Sequence, residues 1–190
     1  DFQIRQLDLG KAAGCDGILL EHILYAHPIV TVLMTCIFNA CLKVGYVPSL
    51  FSQGIITPIL KGSVADKAII DNYRGITISS ISSKNFEKCL LPLFGDTLNS
   101  SELQFGFKSG VGCRDAIFTA RTVSDYFVER GSTVNLCALD LSKAFDKVDH
   151  FILFKKLLDR KVPHCIVQLL VNWYSKCSVR VKWCDELSDE

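Results

Sequence analysis

Residues Asn135 to His150 read NLCALDLSKAFDKVDH. An apolar, strand-like run from Val134 to Leu139 delivers Asp140, and Asp146 and Asp149 follow within one short segment. A carboxylate at the end of a hydrophobic strand is costly to place unless a cation meets it. Mg²⁺ suits the position, because it takes one or two carboxylates and completes its shell with substrate phosphates. Phosphoryl transfer is therefore the first chemistry this stretch suggests. The plainer alternative for an acidic residue at a strand end is a cap or a salt-bridge partner. Asp149 fits that alternative best, as the cap of the helix that follows.

The periodicity around this stretch predicts a strand over 133–141. Alternation puts Val134, Leu136, Ala138 and Asp140 on one face. Helical spacings follow over 149–160, Val162-Pro163 breaks them, and a second helix runs over 164–175. SVRVKW, Ser178 to Trp183, alternates as a strand. Upstream, Asp115 caps or begins a helix reaching about Glu129, and Gly131 ends it. Ser100 to Gly112 is rich in turns. Helices are expected over 19–26 and 29–44, with Pro28 between them and Gly45 as a stop. Phe51 to Leu60 is β-prone, with Pro58 pointing to an edge strand or a strand end. Asn72 to Ser80 offers another short strand, and 85–93 resumes a helical pattern. The expected fold class is α+β, with helices packed on one side of an antiparallel sheet.

The totals fit a folded chain. It has 190 residues, 49% of them apolar and 12 of them Phe, with 22% charged; mean hydropathy is +0.27. That composition argues against disorder. A net charge of +1 weighs against a nucleic-acid partner, since such domains are often basic on one face. The charge is uneven, however: residues 101–190 hold 13 of the 21 Lys and Arg, together with 12 of the 20 acids. The nine cysteines include no C-x-x-C pair, which argues against a zinc site or a disulfide framework. They read as reduced, partly buried small hydrophobes of an intracellular protein, in nucleus or cytoplasm, not secreted. The most apolar stretch, Ile29 to Leu42, contains Asn39 and falls short of the roughly 20 residues a bilayer span needs. His22, His27, His150 and His164 show no ligand spacing. Lys155 to Lys161 reads as a wet helix face. Neither end carries obvious punctuation, so the chain reads as cut from something longer.

Four blocks carry a family resemblance in the same order: KAAGCDGI at Lys11 to Ile18; GIITPILKG with NYRGITISS between Gly54 and Ser80; SELQFGFKSGVGCRDAI at Ser101 to Ile117; and ALDLSKAFDKVDH at Ala138 to His150. Together they resemble the reverse transcriptases of non-LTR (LINE-type) retrotransposons over nearly the whole chain. The resemblance implies a right-hand polymerase fold, with 1–112 as a fingers-like region and 113–190 as a partial palm. It implies RNA-directed DNA polymerase activity, with an RNA template, a DNA primer and deoxynucleoside triphosphates as partners and no membrane. Asp140 matches the first catalytic carboxylate, which helps hold two Mg²⁺ ions, and the backbone carbonyl of Leu141 is the accompanying metal contact. Phe145 matches the aromatic residue beneath the incoming sugar. Lys61 and Arg74 match residues that grip the triphosphate. Gln104, Phe105 and Gly106 match a block near the template and nucleotide pocket.

The sequence departs from the family pattern at two turns. Gly75 stands where proline usually follows the Tyr-Arg pair, which is expected to loosen a loop there. The turn of the third block is altered around Val111 to Arg114. The later palm blocks, with the glycine-rich turn and the paired aspartates, would lie beyond Glu190. The 190 residues alone are therefore expected to be an incompetent polymerase. The alternative is a relic or adopted domain that binds nucleic acid or protein without catalysis.

Overall fold

A computed structural model describes residues 2–62, 66–95, 97–98 and 100–189; Asp1 and Glu190, the outer ends of the two expected regions, lie outside them. The chain divides into two compact units. One comprises residues up to Thr97 and from Phe154 onward, the other Leu98–Leu153. This division follows compactness, a different property from the functional boundary expected after residue 112.

The first unit holds the sheet and the core. Its strands are β1 (Gln53–Leu60), β2 (Tyr73–Ser79), β3 (Ser178–Trp183) and β4 (Glu186–Leu187), in the order β2-β1-β3-β4. β1 pairs antiparallel with the whole of β2, from Gly54↔Ser79 to Leu60↔Tyr73. It pairs parallel with β3 only over Gln53↔Ser178 to Ile56↔Val181. The sheet is thus mixed, not the antiparallel one expected. Pro58 explains where the parallel pairing stops: it offers no N–H to a second neighbour. β1 is central over its first half and an edge beyond it, so the expectation from Pro58 holds for the second half alone. Gly75 is not in a loop. It sits inside β2 opposite Pro58, and a Cβ there would stand 3.1 Å from Ile56 Cγ2.

The helices of this unit are α1 (Leu20–Leu24), α2 (Ile29–Val44), α3 (Ser49–Ser52), α4 (Ile81–Leu90) and α7 (His164–Tyr174). α2 ends where Gly45 takes a left-handed φ of 70° and its N–H donates to Cys41 O, the stop that glycine makes without a steric cost. α4 starts earlier than its apolar spacing suggests, because the Ser80 Oγ accepts the Ser83 N–H at 3.1 Å and caps it. The buried core gathers Phe38 from α2, Phe51 from α3, Phe86 and Leu90 from α4, and Ile166, Leu169 and Trp173 from α7. Phe86 is its centre. Its ring lies 4.9 Å from Phe38, 5.9 Å from Phe51 and 5.6 Å from Trp173, the last pair stacked. The Trp173 indole N–H donates to Phe51 O at 3.1 Å, so the buried ring leaves no donor unmet. The loop after α2 is clasped from α7: Asn172 Oδ1 accepts both the Val47 N–H and the Lys176 ammonium.

Within this unit the first sequence block packs against the start of α4 through one glycine. A Cβ on Gly14 would stand 2.8 Å from both Cα and N of Ser80. Only a residue without a side chain lets the two backbones approach so closely.

The second unit contains α5 (Cys113–Val128), whose Gly112 N–H donates to the Asp115 carboxylate at 2.8 Å. Gly131 follows with a φ of 77°. Residues 133–141 form no regular element, all but Val134 are exposed, and no strand pairs with them among the described residues. This corrects the strand expected there. Alternation marks two faces, but a strand exists only when a neighbour completes its hydrogen bonds. α6 (His150–Asp159) begins in this unit and continues into the first. The Asp149 carboxylate accepts the Ile152 N–H at 3.1 Å and caps it. Of the nine free cysteines only Cys41 is buried, and six are exposed, so the expectation of partial burial fails for most of them. No described helix is long and apolar enough to cross a membrane.

Candidate active site

Asp140 lies in the irregular stretch before the turn of the second unit, exposed to solvent. Among the described residues no ion pair involves its carboxylate; the two pairs present are Lys11–Asp8 and Arg121–Asp125. Leu141 is 80% exposed beside it. The residues that follow turn tightly: Lys143 has a φ of 53°, and its carbonyl accepts the Lys147 N–H. This bend presents Phe145, 77% exposed. Asp146 is exposed in the same turn, whereas Asp149 is engaged as the cap of α6.

The structure brings the third and fourth blocks together within this unit. The rings of Phe107 and Phe145 meet edge to face, with centroids 6.0 Å apart. The turn that carries Phe107 is braced locally. Gln104 Nε2 donates to Gly106 O at 3.0 Å, and the Gln104 N–H donates to Ser101 O. Phe107 itself holds a left-handed φ of 57°, which costs a bulky residue on the order of 1–2 kcal/mol. Sequence reasoning named Gln104, Phe105 and Gly106 and missed Phe107. No local signal distinguishes it, because a single aromatic in a turn-rich stretch carries no periodicity that marks its partner.

Lys61 and Arg74 belong to the first unit, at the tip of the β1–β2 hairpin. Arg74 sits opposite Ile59 and is exposed. The Lys61 N–H donates to Asn72 O at 2.8 Å, and its ammonium donates to Asp71 O at 2.6 Å. Lys61 therefore closes the hairpin with both of its donors, while Arg74 projects a fork of N–H groups suited to phosphate.

The donor types around Asp140 suit a hard divalent cation, a carboxylate and a backbone carbonyl. They do not complete a site. Among the described residues no group of three or more His, Cys, Asp or Glu could hold a metal ion. Asp140 and Leu141 alone would offer such an ion only part of its oxygen shell.

The family model described as Reverse transcriptase (RNA-dependent DNA polymerase) matches residues 59–188. The "Probable RNA-directed DNA polymerase from transposon BS" of Drosophila melanogaster is 26% identical over 160 residues, covering 81% of this chain and 17% of that protein. The "RNA-directed DNA polymerase from mobile element jockey" of Drosophila funebris is 28% identical over 80% of this chain and 17% of its own length. The "Retrovirus-related Pol polyprotein from type-2 retrotransposable element R2DM" of Drosophila melanogaster is 24% identical over 92% of this chain and 16% of its own. The chain thus spans about one sixth of the length of the curated relatives it matches. With the match covering well over half of its residues, the chain belongs to the reverse transcriptase family, on the side of the non-LTR retrotransposons that its four blocks resemble.

Proposed function

We propose that this chain carries the fingers (1–112) and the first part of the palm (113–190) of an RNA-directed DNA polymerase that extends a DNA primer on an RNA template. Asp140 is the metal-anchoring carboxylate, with the Leu141 carbonyl beside it. In the parent polymerase, two Mg²⁺ ions held there together with carboxylates from elsewhere would activate the primer hydroxyl and neutralise the triphosphate. Phe145 lies beneath the incoming sugar and selects against a 2′-hydroxyl. Phe107 backs that ring, and Gln104, Phe105 and Gly106 shape the turn next to it. Arg74 grips the triphosphate, and Lys61 joins it by releasing its hairpin carbonyl. An intracellular setting, nucleus or cytoplasm, goes with this reading.

The observation that supports it most directly is the state of Asp140. Its carboxylate is exposed, and among the described residues no ion pair engages it, which is compatible with a cation taken from solution. The test is primer extension by the full-length parent with Mg²⁺ and deoxynucleotides. Asp140→Ala abolishes synthesis while leaving the thermal midpoint within the small range of exposed substitutions, about ±0.5 kcal/mol in stability. Synthesis retained by that variant removes Asp140 from the mechanism. The isolated 190 residues give no extension in the same assay.

A further inference from the structure

A cavity of about 250 Å³ lies within the first unit, between α2, α4 and the segment Phe2 to Ile4. Its walls follow helix geometry. Thr31, Met34, Thr35 and Phe38 stand at i, i+3, i+4 and i+7 of α2, and Asn85 and Cys89 stand one turn apart on α4. Each set therefore shares one face of its helix. Ile4 and Phe38 are buried, whereas Phe2 is exposed. None of the lining residues carries a charged side chain.

Asn85 gives this wall its polarity. It is only 6% exposed, and its Oδ1, shut off from water, has no hydrogen-bond partner among the described residues. A buried acceptor left without a donor is rare and costly. The Thr35 hydroxyl does not supply one, since it donates to Thr31 O at 2.8 Å along its own helix. The last torsion of an asparagine is broad, so a turn of the amide brings Oδ1 round to a molecule in the cavity. We propose that this cavity binds a small uncharged molecule of one ring and one hydroxyl, the ring against Ile4, Met34 and Phe38 and the O–H donated to Asn85 Oδ1. An apolar cavity of about 150 Å³ is enough for benzene, so the space admits a ring with one polar substituent. A charged ligand would meet no counter-ion in the wall. This inference goes beyond the polymerase reading and does not rest on it.

The probes are phenol and toluene, similar in size, of which only phenol carries a donor. Each is titrated onto the 190-residue chain and followed by saturation-transfer NMR. A purely apolar cavity prefers toluene, because phenol must shed water from its hydroxyl. The unchanged chain is expected to bind phenol at least as tightly as toluene. Asn85→Leu lowers the ratio of phenol to toluene affinity roughly tenfold, the worth of one satisfied buried hydrogen bond. Its thermal midpoint stays level or rises, since an apolar group of similar size replaces an unpaired polar one. Cys89→Leu fills part of the space and weakens both ligands. Neither ligand binding, a preference for toluene in the unchanged chain, or a ratio that Asn85→Leu leaves unmoved would each overturn the site. So would undiminished binding by Cys89→Leu, which places the ligands elsewhere. If Asn85→Leu fails to fold, the comparison of the two ligands on the unchanged chain and on Cys89→Leu still decides.

Discussion

Removing the Phe86 ring should cost this chain a large part of its stability. Phe86 is fully buried and touches three other rings, those of Phe38, Phe51 and Trp173. Phe→Ala in a core costs about 3–5 kcal/mol, and each well-placed aromatic pair adds about 0.5–1.5 kcal/mol beyond the area it buries. Three such pairs put Phe86→Ala at the upper end, about 4–5 kcal/mol. Whole domains hold about 5–15 kcal/mol, so the loss is a large fraction. With a urea slope of about 2 kcal/mol per molar, the midpoint falls by about 2 M. The measurement is urea unfolding followed by tryptophan emission, which Trp173 reports because it stacks on Phe86. Phe118→Ala is the control, since Phe118 on α5 is 71% exposed and should move the midpoint little. A Phe86→Ala shift no larger than that of Phe118→Ala would show that these rings do not form the core.

Lys161 closes α6 in a left-handed conformation with φ 65°, its N–H donating to Leu158 O and that of Val162 to Leu157 O; Lys161→Gly should raise stability by about 0.5–1 kcal/mol, read as a thermal midpoint about 2 °C higher, and a lower midpoint refutes it. Gly14→Ala forces a methyl group against the backbone of Ser80 and should cost about 1–3 kcal/mol; an unchanged urea midpoint would show that the first block does not pack there. Desolvation holds the Glu87 pKa above the ordinary carboxylate range, with Lys84 opposing it. The folded state then favours the proton, so the penalty is absent at acid pH and grows as pH rises through the raised value. Glu87 is exposed by area, which keeps the effect small through screening. Glu87→Gln should match or exceed the original at pH 7 and converge with it at pH 4; a variant weaker at pH 7 contradicts the sign.

Local patterns carried most of the secondary structure. α2 matches its apolar run residue for residue, because Pro28 and Gly45 punctuate it from both sides. The SVRVKW alternation became β3, and the Asp149 cap was legible because a short acidic side chain before a helical run has one common use. What failed depended on neighbours distant in sequence. Residues 133–141 have the alternation of a strand but no described strand beside them. Gly75 reads as a loop breaker until its register opposite Pro58 is known. The mixed sheet rests on β1 pairing with β3, which no local window contains. At the candidate site, Asp140 and Phe145 could be named from their block. The meeting of Phe107 with Phe145 could not, since it joins two turns that lie far apart along the chain.

The parallel ladder that joins Gln53 to Ser178 spans 125 residues of chain. A ribosome adding about 5–20 residues per second would release the first of these strands some 6–25 s before the second. Throughout that interval one side of β1 carries unpaired N–H and C=O groups, the kind of bare edge that invites another chain to bind. Early protection of the nascent polypeptide by a chaperone, or a fast passage through the intervening codons, would then govern how much of it reaches the native sheet.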